Sequence, residues 1–318
     1  MTVLLTRSDV RRLLEIDAAL GALRAGFTAE RPPVDALRVR TDLPLVGSSA
    51  TALLPGLIDG IPAYTVKVNA KFPGAVPALR GLLCLHSIED GALLAVMDSA
   101  EVTAWRTGLS AALATDVLAP RGADTLGVIG AGAQAWMVVR GLAALRRHDS
   151  VVVCDLAADR ARDFAAQAEA LTRAPAQVVA TPRQVAAAAA TVVVATWARE
   201  PLLDAPDVPP GGHVTSLGAD EPGKRELSAE LLRRATLVVD DVPLSLRMGA
   251  VGNAGLDEEA VAATLAQVLR GEHPGRSGAG ELTVYAPVGL PWQDLALAWI
   301  CYEAALTDDG GTRLDFLS

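Results

Sequence analysis

A glycine-rich turn between an apolar strand and a helix is the feature that most constrains how this chain can fold. The run 126–129 is typical of a central parallel strand, and Gly130, Gly132 and Ala135 follow it with the spacing G-x-G-x-x-A. The two glycines permit a tight turn and the close approach of a pyrophosphate, and Ala135 permits close packing of helix on strand. The pattern predicts a dinucleotide site at the N-terminus of this helix. The residues of the turn predicted to contact the cofactor are Gly130, Gly132, Ala133 and Gln134.

An acidic residue at the end of the next strand predicts which dinucleotide binds. The apolar run 151–154 ends at Asp155, which lies 25 positions after Gly130, near the ~20 expected for the acid that binds the adenosine ribose. A carboxylate here accepts hydrogen bonds from both ribose hydroxyls and repels a 2′-phosphate, so we expect NAD(H) to be preferred over NADP(H). The alternative interpretation is that Asp155 only caps a helix in an ordinary α/β turn.

Composition and charge exclude several classes of protein. With 318 residues the chain is long enough for about two domains. A hydrophobic content of 51% and a positive mean hydropathy exclude a disordered chain, and no apolar run approaches the ~18 residues that span a bilayer. The net charge of −9 and the lack of a basic run argue against nucleic acid as a partner. We therefore expect a soluble protein that binds neither membrane nor nucleic acid.

The cysteines, the histidines and the N-terminus give further expectations. The three cysteines are odd in number and lie far apart in apolar segments, which is typical of reduced core residues in a cytoplasmic protein. Four scattered histidines without paired metal-ligand spacing argue against a metal site. Arg7 and Asp9 come too early for a secretory signal. The prediction is a cytoplasmic protein that binds no metal.

From residue 124 onward, predicted strands and helices alternate, as they do in a doubly wound nucleotide-binding domain. The six predicted strands are 125–129, 150–154, 177–180, 191–196, 213–217 and 236–239. Thr196 and Gly218, at the carboxyl ends of two of these strands, complete the predicted cofactor contacts.

The sequence pattern before residue 119 is typical of a separate α+β unit. Ser8 and Asp17 each precede a helical run, and the strands 37–45 and 64–71 alternate apolar and polar residues. A hairpin of 81–88 and 92–97 follows, and a helix capped by Asp98 or Ser99 runs to residue 118.

The end of the chain predicts a strand at 281–288 and a helix at 292–306 that returns to pack on the first domain. We therefore expect residues 1–118 to form a substrate-binding domain and residues 119–287 to form a Rossmann-type NAD-binding domain. Residues 288–318 would carry the returning helix. The fold class is α/β, with the doubly wound domain inserted in an α+β domain.

Several local patterns together identify a family that the chain resembles over nearly its full length, the ornithine cyclodeaminase and μ-crystallin family. The most specific patterns are the arginine-threonine segment of the helix, the GAGAQA turn and the GAD-x-PGK-x-EL loop, in this order. The segments that carry the resemblance are 39–41, 66–68, 94–98, 105–108, 129–135, 217–227 and 288–294.

The resemblance implies nicotinamide-dependent chemistry at the carbon next to a carboxylate, in amino acids or their imines. By position, Arg40, Lys67 and Arg106 match the family residues that bind the substrate carboxylate and neighbouring groups. Asp220 matches the acidic residue that acts near the amino or imino nitrogen, and Lys67 is also expected to stabilise or protonate the developing charge. The resemblance further implies a homodimer formed through the substrate domain.

The residues themselves agree with these roles, although each has an ordinary alternative. An arginine fork binds a carboxylate in bidentate fashion, and Arg40 and Lys67 lie on the polar faces of alternating strands. Either could instead be a solvated strand residue, and Arg106 could pair with Glu101 or Asp98. In the same way Asp220 could be only a turn residue, while Lys224 and Glu226 are expected to hold its loop in place.

Departures from the family pattern concern the substrate side chain. Cyclodeaminases carry an acidic residue near Leu54-Pro-Gly56 that can bind the distal amine of ornithine or lysine, and here Gly56 stands at about that place. Asp294 is retained, but apolar and proline residues occupy 286–287 and 291–292, and Ala250 stands where a glutamate often follows glycine. We infer a pocket reshaped toward a smaller or less cationic substrate.

The leading hypothesis is an NAD(H)-dependent reductase or dehydrogenase that interconverts a 2-imino acid and a 2-amino acid by hydride transfer. A second hypothesis is an ornithine- or lysine-type cyclodeaminase that uses NAD catalytically and releases ammonia. A third is a non-enzymatic ligand-binding protein that keeps the nucleotide domain as a scaffold.

Overall fold

The chain divides into two units. The computed structural model describes residues 1–30, 37–73, 75–122, 125–308 and 310–316. Unit 1 consists of residues 1–106 and 290–318, and unit 2 consists of residues 107–289. The first division lies within a helix rather than at the predicted 118/119, because residues beyond Arg106 pack in unit 2, where Ala111 and Ala112 belong to the core. The second division, at 289/290, is close to the predicted 287/288.

The strands of the described ranges form two sheets. In chain order they are β1 (Thr2–Leu5), β2 (Leu37–Asp42), β3 (Ser49–Gly56), β4 (Ala63–Lys71), β5 (Leu79–Ser87), β6 (Leu93–Asp98), β7 (Thr125–Ile129), β8 (Ser150–Cys154), β9 (Ala176–Val178), β10 (Thr191–Val194), β11 (His213–Ser216), β12 (Thr236–Val239), β13 (Ala263–Thr264), β14 (Thr283–Tyr285) and β15 (Thr312–Leu314). Those not predicted are β1, β3, β13 and β15.

The α-helices, again in chain order, are α1 (Arg7–Leu13), α2 (Ile16–Thr28), α3 (Ser99–Leu118), α4 (Ala133–Leu145), α5 (Ala158–Thr172), α6 (Pro182–Ala188), α7 (Ala229–Arg234), α8 (Val242–Met248), α9 (Ala250–Asn253), α10 (Leu265–Leu269) and α11 (Pro291–Thr307). The predicted starts of the first two helices are wrong, since Ser8 and Asp17 lie inside them. Thr6 caps α1, because its side chain accepts from the Asp9 amide while the Asp9 carboxylate accepts from the Thr6 amide. Across the described residues, no helix is both long and apolar enough to cross a membrane.

Unit 1 has a sheet with the strand order β15-β1-β6-β5-β4-β3-β2. The predicted alternation in β4 is confirmed: Thr65, Lys67 and Asn69 are buried, whereas Val66 and Val68 point to the other side and Val68 is exposed. The polar face is therefore the inner one, and α11 packs against β3 and β4. Polar side chains buried under a helix need partners within the unit, which is how a polar site is built here.

Unit 2 has a sheet with the order β13-β12-β14-β11-β10-β7-β8-β9, in which all neighbouring strands are parallel. Its strands are buried and rich in valine, as expected for a sheet that is covered on both faces. Strand order reverses at β7, which lies between β10 and β8. The carboxyl end of β7 is thus the switch point at which doubly wound sheets bind nucleotides.

Candidate active site

The glycine turn of unit 2 lies directly after β7. Gly130 has φ +93°, a conformation that side chains with a Cβ rarely adopt, and its amide donates to the Cys154 carbonyl at 2.8 Å. A Cβ at this position would collide with the Ala195 carbonyl oxygen. Gly132 is the N-cap of α4, and a Cβ there would meet no atom of the chain within 4 Å. One glycine is therefore required by the backbone, and the other leaves open space at the helix N-terminus.

This difference predicts separate effects for two matched substitutions. Gly130→Ala is expected to destabilise unit 2 by about 1–3 kcal/mol, because it forces alanine into a strained conformation beside a carbonyl. Gly132→Ala is expected to leave the melting temperature unchanged but to weaken NADH binding at least tenfold, because its methyl group would occupy the place of the pyrophosphate. Thermal unfolding and fluorescence titration with NADH separate the two effects. Equal effects of both variants on stability would contradict this interpretation.

Asp155 follows β8 and faces the turn. Its Oδ2 accepts from the Ala131 amide at 2.8 Å, and its Oδ1 accepts from the Ala157 amide at 2.8 Å and from Arg160 Nη2 at 2.6 Å. Burial raises the pKa of Asp155, but the Arg160 guanidinium and the two amides outweigh it and hold the pKa below the usual value. Asp155 is thus an ionised acceptor that fits the predicted ribose contact. It also accepts from the amide of Ala157, the N-cap of α5, but α5 has no side-chain cap hydrogen bond, so the capping interpretation is not supported.

The buried Glu226 connects the ends of β10 and β11. Its Oε1 accepts from the amide and hydroxyl of Thr196 at 2.6 and 2.7 Å, and its Oε2 accepts from Ser216 Oγ and the Gly218 amide, both at 2.7 Å. Burial raises the pKa of Glu226, and the four hydrogen bonds act against this effect. Thr196 and Gly218 therefore have their amides directed at Glu226, and any contact with a cofactor has to use their other atoms.

Asp220 lies on the loop after β11 and pairs with a lysine of the same loop. Its Oδ1 is 2.8 Å from Lys224 Nζ, which also lies 3.7 Å from Glu221 Oε2. Asn253 fixes this loop, because its amide group donates to the carbonyls of Glu221 and Lys224 and its Oδ1 accepts from the Gly223 amide. As expected, Lys224 and Glu226 hold the loop that carries Asp220.

Unit 1 contains a buried charged cluster on the inner face of its sheet. Lys67 Nζ lies 2.7 and 2.6 Å from the two carboxylate oxygens of Asp294, and both side chains are 1% exposed. Arg106 Nε lies 3.4 Å from Asp294 Oδ1, and its Nη1 donates to Gln293 Oε1 at 3.4 Å. Strand β4, helix α3 and the first turn of α11 each supply part of this cluster. The two cations and one carboxylate leave it with a net positive charge when all are ionised.

Burial controls the protonation of Lys67 in this cluster. Desolvation lowers the pKa of Lys67 to about 7, and the nearby Arg106 acts in the same direction, whereas Asp294 opposes both. A lysine poised near neutrality inside a buried polar cluster can bind an anion as the ammonium form and can also exchange a proton. This environment rejects the interpretation of Lys67 as a solvated strand residue.

The two arginines have different surroundings. Arg106 does not pair with Glu101 or Asp98, since those carboxylates bind Arg11 and Arg7. Arg40, on β2, is half-buried, and its Nη2 lies 2.7 Å from Asp42 Oδ1. The structure thus brings Lys67 and Arg106 onto one carboxylate.

Sequence reasoning missed several members of the cluster. Asn69 and Thr103 are buried beside Lys67, and Gln293 accepts hydrogen bonds from Arg106 and from the Leu290 amide. The alternation of β4 already placed Asn69 on the face of Lys67, and Thr103 precedes Arg106 by three positions on a helix, so their neighbourhood was visible in the sequence. Across the described residues, no group of three His, Cys, Asp or Glu side chains could hold a metal ion.

Comparison with known proteins decides the family. Residues 1–309 match the model of the ornithine cyclodeaminase/mu-crystallin family. The chain belongs to this family. It is 30% identical to the alanine dehydrogenase of Archaeoglobus fulgidus, with 99% of this chain and 98% of the relative covered. The predicted resemblance is confirmed, as is the Rossmann-type α/β fold.

Two solved structures share the whole fold. The Δ1-pyrroline-2-carboxylate reductase of Thermococcus litoralis, in complex with NADH and L-proline, has a TM-score of 0.91 and 27% identity, and 98% of this chain and 100% of that chain are covered. An archaeal alanine dehydrogenase dimer with bound NAD has a TM-score of 0.89 and 29% identity, with 99% of each chain covered. The chain is an NAD(P)H-dependent oxidoreductase, as the sequence predicted.

Proposed function

We propose that this protein is an NAD(H)-dependent reductase that interconverts a 2-imino acid, or a 2-oxo acid plus an amine, and the corresponding 2-amino acid. The observation that carries the proposal is the buried cluster of Lys67, Arg106 and Asp294. Its excess of positive charge suits a carboxylate, and a charged hydrogen bond is strong where water is excluded. Two relatives support this reaction class, one named an alanine dehydrogenase and the other a Δ1-pyrroline-2-carboxylate reductase.

Each residue has a defined part in the proposed reaction. Arg106 and Arg40 bind the carboxylate and hold the adjacent carbon at attack distance, and Lys67 stabilises the charge that develops beside it. Asp220 exchanges a proton with the substrate nitrogen. The nicotinamide, when bound, supplies or accepts the hydride.

The cofactor side of the proposal depends on the turn after β7. Gly130, Gly132, Ala133 and Gln134 form a helix N-terminus at which Gly132 leaves room for a pyrophosphate. Asp155 is ionised, and its three hydrogen bonds leave one of about four acceptor sites for a ribose hydroxyl, so we propose a preference for NAD(H) over NADP(H). Thr196 and Gly218 are proposed to contact the cofactor through atoms other than their amides. Titration with NADH and NADPH would test the preference, which equal affinities would reject.

The cyclodeaminase alternative is disfavoured at Gly56. A Cβ at this position would collide with Thr65 Oγ1 and lie 2.5 Å from the Pro291 carbonyl oxygen. A glutamate here would require β3, β4 and the start of α11 to move apart, so the distal amine of ornithine or lysine has no acidic partner at this place. Release of ammonia from either amino acid, without net formation of NADH, would restore the alternative.

We also propose a homodimer formed through the outer face of the unit 1 sheet. Val39, Val68 and Leu82 on three strands of this face are 59%, 49% and 57% exposed. Adjacent apolar side chains on a sheet face are typical of an interface. The archaeal alanine dehydrogenase relative is a dimer. A monomer in sedimentation equilibrium at micromolar concentration would reject this proposal.

The function is tested by following nicotinamide absorbance with purified protein. Pyruvate and other 2-oxo acids would be offered with ammonium or methylamine, alongside preformed cyclic imino acids such as Δ1-pyrroline-2-carboxylate. Oxidation of NADH that requires an imine supports the proposal and identifies the size of the substrate. Tight binding of NADH without turnover of any candidate favours the binding-protein hypothesis.

The protonation of Lys67 predicts the pH dependence of turnover. If the ammonium form is active, kcat is expected to fall as pH rises through about 7, the value at which burial places the pKa of Lys67. Asp294→Asn removes the charge that raises this pKa, so the fall should move to lower pH. The substrate ionises identically in both assays. A shift between the pH profiles of wild type and Asp294→Asn therefore reports the titration of a group of the protein. A shift to higher pH, or none, would contradict the assignment.

A further inference from the structure

The hydroxyl of Thr103 is held by two donors inside the charged cluster. Thr103 is 5% exposed, and its Oγ1 accepts from Lys67 Nζ and from Asn69 Nδ2, each at 3.2 Å. In its ammonium form, the form that pairs with the Asp294 carboxylate, Lys67 can only donate. A hydroxyl oxygen accepts two hydrogen bonds, so both of its lone pairs are used. The Thr103 hydroxyl can therefore form a further hydrogen bond only by donating its own hydrogen.

The orientation of Asn69 makes this assignment firm. Ser99 Oγ lies 2.5 Å from Asn69 Oδ1, a distance that suits O–H···O but is too short for N–H···O. The 3.2 Å between Asn69 and Thr103 suits N–H···O. The carboxamide therefore presents its oxygen to Ser99 and its NH₂ group to Thr103. Thr103 cannot donate to Asn69.

Four threonines elsewhere in the helices use their hydroxyl hydrogen in a way that Thr103 does not. Thr28, Thr115, Thr172 and Thr307 each donate to a carbonyl one turn earlier in their helix. For Thr103, no acceptor for its hydroxyl hydrogen is found among the described residues. Its side chain is instead fixed toward Lys67, and Arg106 follows three positions later on the same side of α3. The hydroxyl hydrogen is thus a directed donor within the group that we propose binds the carboxylate.

We propose that Thr103 is a substrate-binding residue that donates a hydrogen bond to the carboxylate of the substrate. This inference rests on the proposed function. The nitrogen of a protonated imine is a donor and cannot accept from Thr103, whereas a carboxylate oxygen can. Lys67, Arg106 and Thr103 then supply two charged donors and one neutral donor to the same group. The neutral donor is directional, because Lys67 and Asn69 fix its oxygen, and an ionised carboxylate accepts from it more strongly than the carbonyl of an uncharged amide does.

The test compares Thr103→Val, which keeps the shape and removes the hydroxyl, with Thr103→Ser, which keeps the hydroxyl. The probes are L-proline and L-alanine, each measured against its amide, L-prolinamide or L-alaninamide. Affinity is measured by calorimetry on protein saturated with NADH. Thr103→Val is expected to weaken binding of the acids about 10- to 100-fold, as for a hydrogen bond to a charged group, and binding of the amides by less than about tenfold, because their neutral carbonyl accepts a weaker hydrogen bond. Thr103→Ser should stay within about threefold of wild type.

The outcomes separate this assignment from the proposed function. The assignment would be overturned if Thr103→Val bound the acids as tightly as wild type does. It would also be overturned by an equal loss of affinity for acids and amides, or by an equal loss of affinity in Thr103→Val and Thr103→Ser. NADH affinity and melting temperature report whether Thr103→Val has folded. If it has not, Thr103→Ala removes the hydroxyl in its place and is expected to show the same selective loss of affinity for the acids. Selective loss of acid binding in a protein that turns over no imine would reject the proposed function and support Thr103. Turnover of an imine, together with unchanged affinity of Thr103→Val for the acids, would support the proposed function and reject the role of Thr103.

Discussion

Asp220→Asn is expected to lower kcat by about 10²- to 10⁴-fold while leaving the affinity for NADH close to that of wild type. The carboxylate is proposed to exchange a proton with the substrate nitrogen, and asparagine has a similar shape but cannot take up that proton. The amide oxygen can still accept from Lys224, whose Nζ lies 2.8 Å from Asp220 Oδ1, so the loop should keep its conformation. Single-turnover oxidation of NADH and fluorescence titration measure the two quantities.

Glu221→Gln is the matched control for Asp220→Asn. It removes the neighbouring carboxylate, which lies 3.7 Å from the same lysine and has no proposed part in proton transfer. A comparable loss of kcat in both variants would mean that the charge around Lys224 matters rather than proton exchange by Asp220. Unchanged turnover in Asp220→Asn would reject the role of Asp220 altogether.

Lys67→Met is expected to lower kcat/KM by about 10²- to 10³-fold, the effect of removing one preorganised donor from developing charge. It is also expected to destabilise unit 1 by about 3–5 kcal/mol, because Asp294 would remain buried without its closest cation. Activity and stability therefore fall together in this variant, and activity alone does not show which effect is responsible.

A double variant separates the two effects. Lys67→Met with Asp294→Asn removes both charges of the pair with little change in shape, and much of the lost stability should return. Turnover should remain as low as in Lys67→Met, since the donor is still absent. Chemical denaturation and steady-state kinetics measure the two properties. Recovery of activity along with stability would show that Lys67 acts through folding rather than on the substrate.

The nucleotide-binding unit could be predicted in detail from the sequence because its strands are buried on both faces and end at recognisable turns. The strand at Thr236–Val239 and the turn at Gly130 were predicted where the structure has them. The predictions were weaker where the residues are small. Strand β3 carries serine, alanine, threonine and a proline, so it lacks the alternation and the bulky β-branched residues that identify a strand.

The candidate site was predicted in parts rather than as a cluster. The positions of Lys67 and Arg106 on polar faces could be inferred, but their shared contact with Asp294 spans more than 180 positions of sequence and depends on how α11 packs against the sheet. The lowered pKa of Lys67 follows from burial of its side chain. The alternation in β4 does not predict this burial, because it does not show which face of the strand is the inner one. The roles of Glu226 and Asn253 as connectors likewise depend on tertiary contacts.

The unit 1 sheet, with its polar face inward and its apolar face outward, limits how this protein can be re-engineered. A common way to raise the solubility of an enzyme is to replace exposed apolar residues with charged ones. Applied here, that rule would select Val39, Val68 and Leu82, the residues of the proposed subunit contact. It would also keep the inner polar residues unchanged, although those are the positions at which substitutions would alter substrate preference. For this sheet, variant libraries should vary the buried polar positions and preserve the exposed apolar ones.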